Sequence, residues 1–436
     1  MKISGLRWWV ISLIAIATII NYIDRGALSY LWSDIAKDVW PDKSTDETKQ
    51  YYATISVVFV FSYALGQTVF GKLFDWLGTR LGFVLSIGVW SVATALHAFA
   101  SSVLTFSIVR SLLGVAEAGN WPGAAKANAE WFPVKQRALA QGIFNSGAAI
   151  GGIVSPLIIA FLSVHMSWQM IFICIGVVGF VWLIPWWVLM KSPPETHPWL
   201  TAEERAFILS GRRADADDMS QEAIRGYNPG TLEMLSHRQS WGAILSAAFL
   251  DPIWWLFIFW IPIYLGEVYG FNVKEIGLYA WVPYVGAMLG AWFGGLLAQN
   301  RIHSGWSVDS TRKLTITLGG AIMLPALLAM AIAVTPLVAV LLMAVILFGF
   351  QTAVGNVQTL PSDFYGGKSV GSLSGYAGTA AKLAAAGLTY LVPWLTQGGN
   401  YAPAFLIGAA LAILSVASIW LLCGKIQPLK PREPRA

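Results

Sequence analysis

Charge is scarce in this chain. Only 12% of its 436 residues are Asp, Glu, Lys or Arg, with 23 acids against 28 bases. A soluble domain carries about 25%. A soluble chain this long could bury a large core but would still need a charged surface. The shortage excludes a soluble enzyme and a nucleic-acid binder. Cysteine is scarcer still: Cys174 and Cys423 lie far apart in apolar segments. Two such residues make neither a disulfide framework nor a zinc site. The five histidines, His97, His165, His197, His237 and His303, lie near the ends of apolar runs or in loops and are given no role. No nucleophile–base pair, metal cluster or phosphate loop stands out, so neither an enzyme nor a cofactor is expected.

What the chain does have is apolar and aromatic: 56% hydrophobic residues, 22 Trp, 22 Phe and 42 Gly. Aromatics gather at membrane interfaces, and Gly is commoner in transmembrane helices than in soluble ones. This is the composition of an all-α, polytopic membrane protein. The first apolar run carries Asp24 and Arg25 and lacks a clean small-residue cleavage site, so it is not read as a signal peptide. A span needs roughly 20 apolar residues. Twelve candidates fit: 8–31, 51–71, 81–100, 103–129, 138–162, 168–190, 241–266, 273–299, 314–334, 336–360, 370–395 and 401–423. The polar stretch between the sixth and seventh divides them into a six-helix bundle over 1–190, a cytoplasmic linker over 191–240, a second bundle over 241–425 and a tail over 426–436. Within the linker, Thr201-Ala202-Glu203-Glu204 reads as a capping box opening a short surface helix from Glu203 to Ser210.

Basic residues orient the spans. With both termini inside, 20 of the 28 Lys and Arg are cytoplasmic. Only Lys37, Lys43, Lys49 and Lys274 are outside, and Arg25, Arg110, Lys126 and Lys382 lie within spans. The net charge of +5 is therefore topology rather than a nucleic-acid signal. Two pseudo-equivalent bundles around a cytoplasmic loop form the layout of transporters that bind substrate near the midplane.

An ionisable residue inside a span is costly and defaults to function. Span 1 runs outward, which places Asp24 and Arg25 about 26 Å from its start; span 4 runs inward, which places Arg110 about 10 Å from the outer edge. The two arginines thus share a depth, and their repulsion calls for an anion or a carboxylate between them. A planar guanidinium fork suits a carboxylate. Glu117, seven residues after Arg110, shares its helix face. Glu117 is expected to gain a proton when substrate takes over its arginine. Structural alternatives stand beside these readings: Arg25 neutralising Asp24, and Arg110 paired with Glu117. Lys126 is expected to snorkel from the inner end of span 4. Asp251 is expected to cap a helix broken at Pro252, with proton transfer as the alternative. Lys382, near mid-depth in span 11, could meet a second carboxylate of a substrate or pair with Asp251 or Glu117.

The segment Gly71-Lys-Leu-Phe-Asp75-Trp-Leu-Gly78-Thr-Arg80 resembles the major facilitator signature Gly-x-x-x-Asp-x-x-Gly-x-Arg. Gly71, Asp75, Gly78 and Arg80 would form a conformational latch, with Asp75 and Arg80 as an ion pair. A degraded echo runs from Gly295 to Arg301, with Gln299 in place of the aspartate. Asn21-Tyr22-Ile23-Asp24-Arg25, Arg110 with Glu117-Ala118, and Glu130-Trp131-Phe132-Pro133 resemble the anion:cation symporter family. The stretches from His165 to Met170, Tyr269 to Glu275 and Trp281 to Pro283 are most similar to its hexuronate-transporter branch.

That resemblance implies the major facilitator fold and proton-driven uptake of a sugar acid across a bacterial inner membrane, by a monomer whose only coupling partner is the proton gradient. It implies that Arg25 and Arg110 hold the carboxylate and that Asp24 and Glu117 take up protons. Tyr22 and Tyr63 would line the site. Asn145, Gln351, Asn356 and Thr379 would bond sugar hydroxyls. Trp260 and Tyr264 would stack on the sugar, close an outer gate, or simply pack. Lys382 departs from the family pattern, where an uncharged residue is expected, and keeps sugar diacids in play beside hexuronates. Rival readings are an exchanger or Na⁺-coupled carrier of other organic anions, and a non-transporting anion receptor.

Overall fold

A computed structural model describes residues 2–132, 134–210, 229–332, 335–365 and 367–430. The side chains at 68, 75, 129, 134, 135, 137–139, 141, 367, 368 and 371 lie outside that description. In chain order the helices are α1 (Leu6–Tyr30), α2 (Trp32–Val39), α3 (Thr45–Leu96), α4 (Val103–Glu117), α5 (Asn120–Trp131), α6 (Val134–Ser163) and α7 (Trp168–Leu189). There follow α8 (202–210), α9 (Thr231–Ser236), α10 (Arg238–Tyr269), α11 (Val273–Tyr279) and α12 (Val282–His303). The last four are α13 (Val308–Met330), α14 (Pro336–Phe364), α15 (Gly367–Leu395) and α16 (Ala402–Ser418). Among the described residues there is no strand, only an isolated bridge between Ile3 and Leu200.

Ten stretches are long and apolar enough to cross a membrane among the described residues. The spans expected at 103–129 and 370–395 correspond to α4–α5 and to α15, which has 29 residues. The chain falls into two compact units. One lies within Met1–Asp218 and takes in Leu265–Trp281; the other lies within Met219–Tyr264 and Val282–Ala436.

Local sequence explains the helix ends. Ser44 accepts from the amide of Glu47 while Glu47 accepts from the amide of Ser44, a reciprocal box that opens α3. Asn272 and Glu275 repeat it at α11. Spans 2 and 3 are one continuous helical run in α3, interrupted only at Gly78, whose φ of 76° and ψ of 170° leave the helical region. That conformation is nearly closed to a residue with a Cβ.

Span 4 is expected as one helix but divides into α4 and α5 at Ala118-Gly119. Pro122 accounts for the break. It has no amide hydrogen to bond the carbonyl four residues back, and its ring crowds that carbonyl. Glu117 is therefore the last residue of α4. In α10, by contrast, neither Pro252 nor Pro262 ends the helix.

Packing in the first unit brings backbones close. A Cβ on Gly114 of α4 would lie 2.7 Å from the Phe59 carbonyl oxygen of α3, and one on Gly66 of α3 would lie 2.5 Å from that of Val115. Only hydrogen at these two positions lets α3 and α4 touch, which carries Arg110 and Glu117 toward the core.

The first part of the linker is docked. Thr201 caps α8 as expected, accepting from the Glu204 amide at 3.2 Å. The Glu204 side chain does not complete the box. Its carboxylate instead accepts from the amides of Gly5, Leu6 and Arg7 and pairs with the Arg7 guanidinium. Four donors at the start of α1 outcompete one at Thr201, because an acid at a helix N-terminus meets several unpaired N–H groups and the positive end of the dipole. Nearby, His197 is fully buried against Trp131, with ring centroids 5.5 Å apart.

Candidate functional site

The charged residues of spans 1 and 4 converge inside the first unit. Asp24, Arg25, Arg110 and Glu117 are all at most 3% exposed, a depth at which ionised groups need partners. Arg25 on α1 donates to Oε2 of Glu117 on α4 from Nε at 3.2 Å and from Nη2 at 3.0 Å. Nη2 also donates to Oδ1 of Asn21, one turn back, at 3.0 Å. Glu117 is therefore paired with Arg25 across two helices rather than with Arg110 on its own helix. The structural alternative of an Arg110–Glu117 pair is not the one found. Nor does Arg25 form an ion pair with Asp24: its fork goes to Glu117.

Arg110 takes a different partner. Its Nη2 donates to the backbone carbonyl of Arg25 at 2.8 Å, while Nε and Nη1 have no partner among the described residues. The two guanidiniums thus share one locus, with the Glu117 carboxylate on one fork and two unengaged donors on the other.

Aromatic rings surround the cations. The Arg25 guanidinium carbon lies 5.0 Å from the Tyr22 ring centroid, 5.1 Å from that of Tyr63 and 5.7 Å from that of Phe59. Arg110 lies 4.7 Å from Phe59. Guanidiniums favour such ring faces. Tyr22 and Tyr63 were expected here. Phe59 was missed, although its position one turn before Tyr63 on the same face of α3 was legible. Asn120, just past the break in span 4, bonds Thr18 of α1 at 2.9 Å and ties the start of α5 to α1.

The other expected residues are carried on α6, α10, α14 and α15. Asn145 is exposed on α6, Gln351 half-buried on α14 and Thr379 exposed on α15. Asn356 is engaged differently. Its Oδ1 accepts from Arg312 at 2.9 Å, and Arg312 also grips Asp363 at 2.9 Å. Trp260 is buried in α10, and Tyr264 packs edge-on against Tyr401 and Phe405 at 4.9 and 5.5 Å.

Asp251 does not cap a new helix. Its Oδ2 meets Lys382 Nζ at 2.7 Å and Trp255 Nε1 at 2.9 Å. Of the partners considered for Lys382, the one found is Asp251. Lys126 reaches a carbonyl rather than snorkelling, donating to Phe74 at 2.7 Å.

In the signature segment Gly71 faces open space and Gly78 makes the break described above. Arg80 donates to the carbonyls of Trp187 and Lys191, both at 3.2 Å, and stacks 3.9 Å over Trp187. The Asp75 side chain lies outside the described residues, and with it the expected Asp75–Arg80 pair.

Many apolar helices around buried, paired charges define a multi-pass membrane transporter, not an enzyme. The chain belongs to the Major Facilitator Superfamily, whose family model matches residues 14–389. It is 32% identical over 423 residues to the hexuronate transporter of Escherichia coli strain K12, covering 96% of this chain and 94% of that protein. It is 34% identical over 326 residues to the galacturonate transporter of Dickeya chrysanthemi, covering 74% and 90%. Its fold is similar to the crystal structure of a bacterial homologue of the human lysosomal transporter Spinster. The TM-score is 0.70 at 18% identity, over 97% of this chain and 95% of that one.

Proposed function

We propose that the protein is a proton-coupled symporter that imports a hexuronate by alternating access. It would sit in the bacterial inner membrane as a monomer with both termini in the cytoplasm. The similarity to a hexuronate and a galacturonate transporter supports the substrate class. The observation that carries the mechanism is the Arg25–Glu117 pair: an internal carboxylate occupies the fork that a substrate carboxylate would use.

In this reading the two carboxylates compete. From the outside, a proton on Glu117 removes its charge and loosens its hold on Arg25. The hexuronate carboxylate then takes the Arg25 fork, and the unengaged Nε and Nη1 of Arg110 supply further donors. Asp24 takes a second proton, which lowers the cost of its charge in an apolar setting. Tyr22, Tyr63 and Phe59 hold the guanidiniums in plane. Asn145, Gln351 and Thr379 remain the proposed contacts for sugar hydroxyls. On the inside the anion leaves, Glu117 releases its proton and returns to Arg25, and the empty carrier resets. Two protons per anion would make uptake electrogenic. The gradient is the whole driving force, so no cofactor is needed.

The test is proton flux in liposomes holding the purified protein. Adding galacturonate outside should alkalinise the outer medium, and replacing sodium by choline should change nothing. Absence of a substrate-linked pH change, or a strict sodium requirement, would sink the proposal. Arg25→Ala and Arg110→Ala should each abolish galacturonate binding, not merely slow its turnover.

A further inference from the structure

At one edge of the first unit, two cations that the proposed function leaves unused are folded back onto tryptophans. One apolar span begins at Trp76, four residues before Arg80, and another ends at Leu189, two residues before Lys191. Arg80 donates to the carbonyls of Trp187 and Lys191, and Trp186 donates its indole N–H to the Arg80 carbonyl at 3.1 Å. These bonds fix α3 and α7 together where both spans end. The Arg80 guanidinium carbon lies 3.9 Å from the Trp187 ring centroid, and Lys191 Nζ lies 4.0 Å from that of Trp199.

A cation that merely snorkels keeps its head in open water. Here ring faces hold both heads in place. They are also short of acceptors. A guanidinium has five N–H donors and an ammonium three. Arg80 spends two on carbonyls, and no acceptor meets Lys191 Nζ among the described residues. Glu195 is the only acid from Lys191 to Ala202, and it is exposed. The surroundings are those of a headgroup layer, where indole rings gather. Trp76 is 80% exposed and Trp187 49%. On α7, Ile184 and Val188 are exposed one turn to either side of Trp187 and give this edge an apolar wall.

We infer that this edge is a docking surface for an anionic phospholipid, whose phosphodiester is held between Arg80 and Lys191. The guanidinium fork matches two phosphate oxygens, and the ammonium adds a point charge. An acyl chain runs along Ile184 and Val188, a contact that a soluble phosphate cannot make. A zwitterionic lipid carries the same phosphate but brings a cation of its own, which the two bases repel. Charge therefore selects the anionic lipid, and the apolar wall selects a lipid over its headgroup. The inference does not depend on which anion the protein carries.

The experiment is native mass spectrometry of the full-length protein, purified in detergent and offered phosphatidylglycerol and phosphatidylcholine with the same acyl chains. Wild type should retain phosphatidylglycerol in preference. Each basic residue near a membrane surface is worth about fivefold in the binding of anionic lipid, so Lys191→Gln should cut the preference about fivefold and Arg80→Gln/Lys191→Gln about 30-fold. Arg80 also ties α3 to α7, so its loss could disturb the fold. Lys191→Gln avoids this, because Arg80 bonds only the backbone of residue 191. Lys191→Arg should keep the preference. Lys274→Gln, which removes a cation from α11, should leave it within about twofold of wild type. Glycerol phosphate, the headgroup without its chains, should fail to displace phosphatidylglycerol at about 100-fold excess. Equal retention of the two lipids by wild type, an undiminished preference in the double variant, an equal loss in Lys274→Gln, or displacement by glycerol phosphate would overturn the inference.

Discussion

Replacing Glu117 by glutamine should tighten substrate binding while destroying accumulation. The side chain keeps its shape and still offers an oxygen to Arg25, so both contacts, at 3.0 and 3.2 Å, can persist. What is lost is the charge. Arg25 stays cationic, so each bond keeps its ionised donor and loses only the ionised acceptor, a change within the range of about 1.5–3 kcal/mol for bonds to charged groups. Two bonds each weakened by about 1 kcal/mol lower the barrier to displacing residue 117 by about 2 kcal/mol, roughly 25-fold in affinity. The facing groups that remain ionisable are Asp24 and Tyr22 from α1, Tyr63 from α3 and Arg110 from α4, and none of them brings a carboxylate to the Arg25 fork among the described residues. Galacturonate should therefore bind Glu117→Gln about 25-fold more tightly than wild type at pH 8, where the wild-type carboxylate competes best. The gap should narrow toward acid pH. Counterflow exchange should survive and uphill uptake should not. Calorimetric titration from pH 5.5 to 8 checks the first point and liposome flux the second. Weaker binding at pH 8, or uphill uptake in the variant, would refute competition between Glu117 and substrate.

Three further outcomes follow from the structure. Gly114→Ala puts a methyl 2.7 Å from the Phe59 carbonyl oxygen, so α3 and α4 must separate; overpacking of this kind costs about 1–3 kcal/mol. A fall in thermal midpoint with weaker galacturonate binding is expected, and an unchanged midpoint would contradict the close approach. Glu267→Gln neutralises the partner of Lys49, which is only 1% exposed and lies 2.9 Å from it. With Asp46 still 3.8 Å away, the loss should be about 2 kcal/mol, below the 3–5 typical when a buried pair is broken outright. It is read by thermal unfolding against Lys49→Met/Glu267→Met, which should be milder.

The third concerns His197. Burial pushes its imidazole below the usual range. Its Nε2 lies 2.9 Å from the Leu189 carbonyl, and its Nδ1 accepts from the Trp199 amide at 3.2 Å, the pattern of a neutral ring. The folded linker therefore binds a proton less readily than the unfolded one. Docking holds at full strength above about pH 6.5, the ordinary imidazole value, and weakens as pH falls below it. Amide exchange over 197–210 should quicken between pH 7 and 5.5 in wild type, after correction for intrinsic rates. In His197→Gln that dependence should vanish.

Much of this could be read from residue order because of what a membrane imposes. Every backbone group in the apolar layer must bond internally, so long apolar runs become helices. Every charge placed there is costly, so Asp24, Arg25, Arg110, Glu117 and Lys382 stand out without any coordinates. The depth argument that aligned Arg25 with Arg110 needed only helical rise and opposite chain directions. Tyr22 and Tyr63 came from helix-face spacing and family resemblance, and both proved to lie against Arg25.

Pairing was another matter. A helix face says which residues share a side, not which neighbour they meet. Glu117 meets Arg25 of α1 across the helix boundary, while Arg110 of its own helix goes to the Arg25 carbonyl. Glu204 left its own capping box for α1, some 200 residues away in sequence, where more unpaired amides awaited it. Asp251 left the cap for Lys382, since α10 runs through Pro252 unbroken. Composition and periodicity thus determined the membrane, the spans and the list of costly charges. The partner of each charge was decided by tertiary packing, because a buried ion settles on whichever counter-charge the close approach of helices brings nearest.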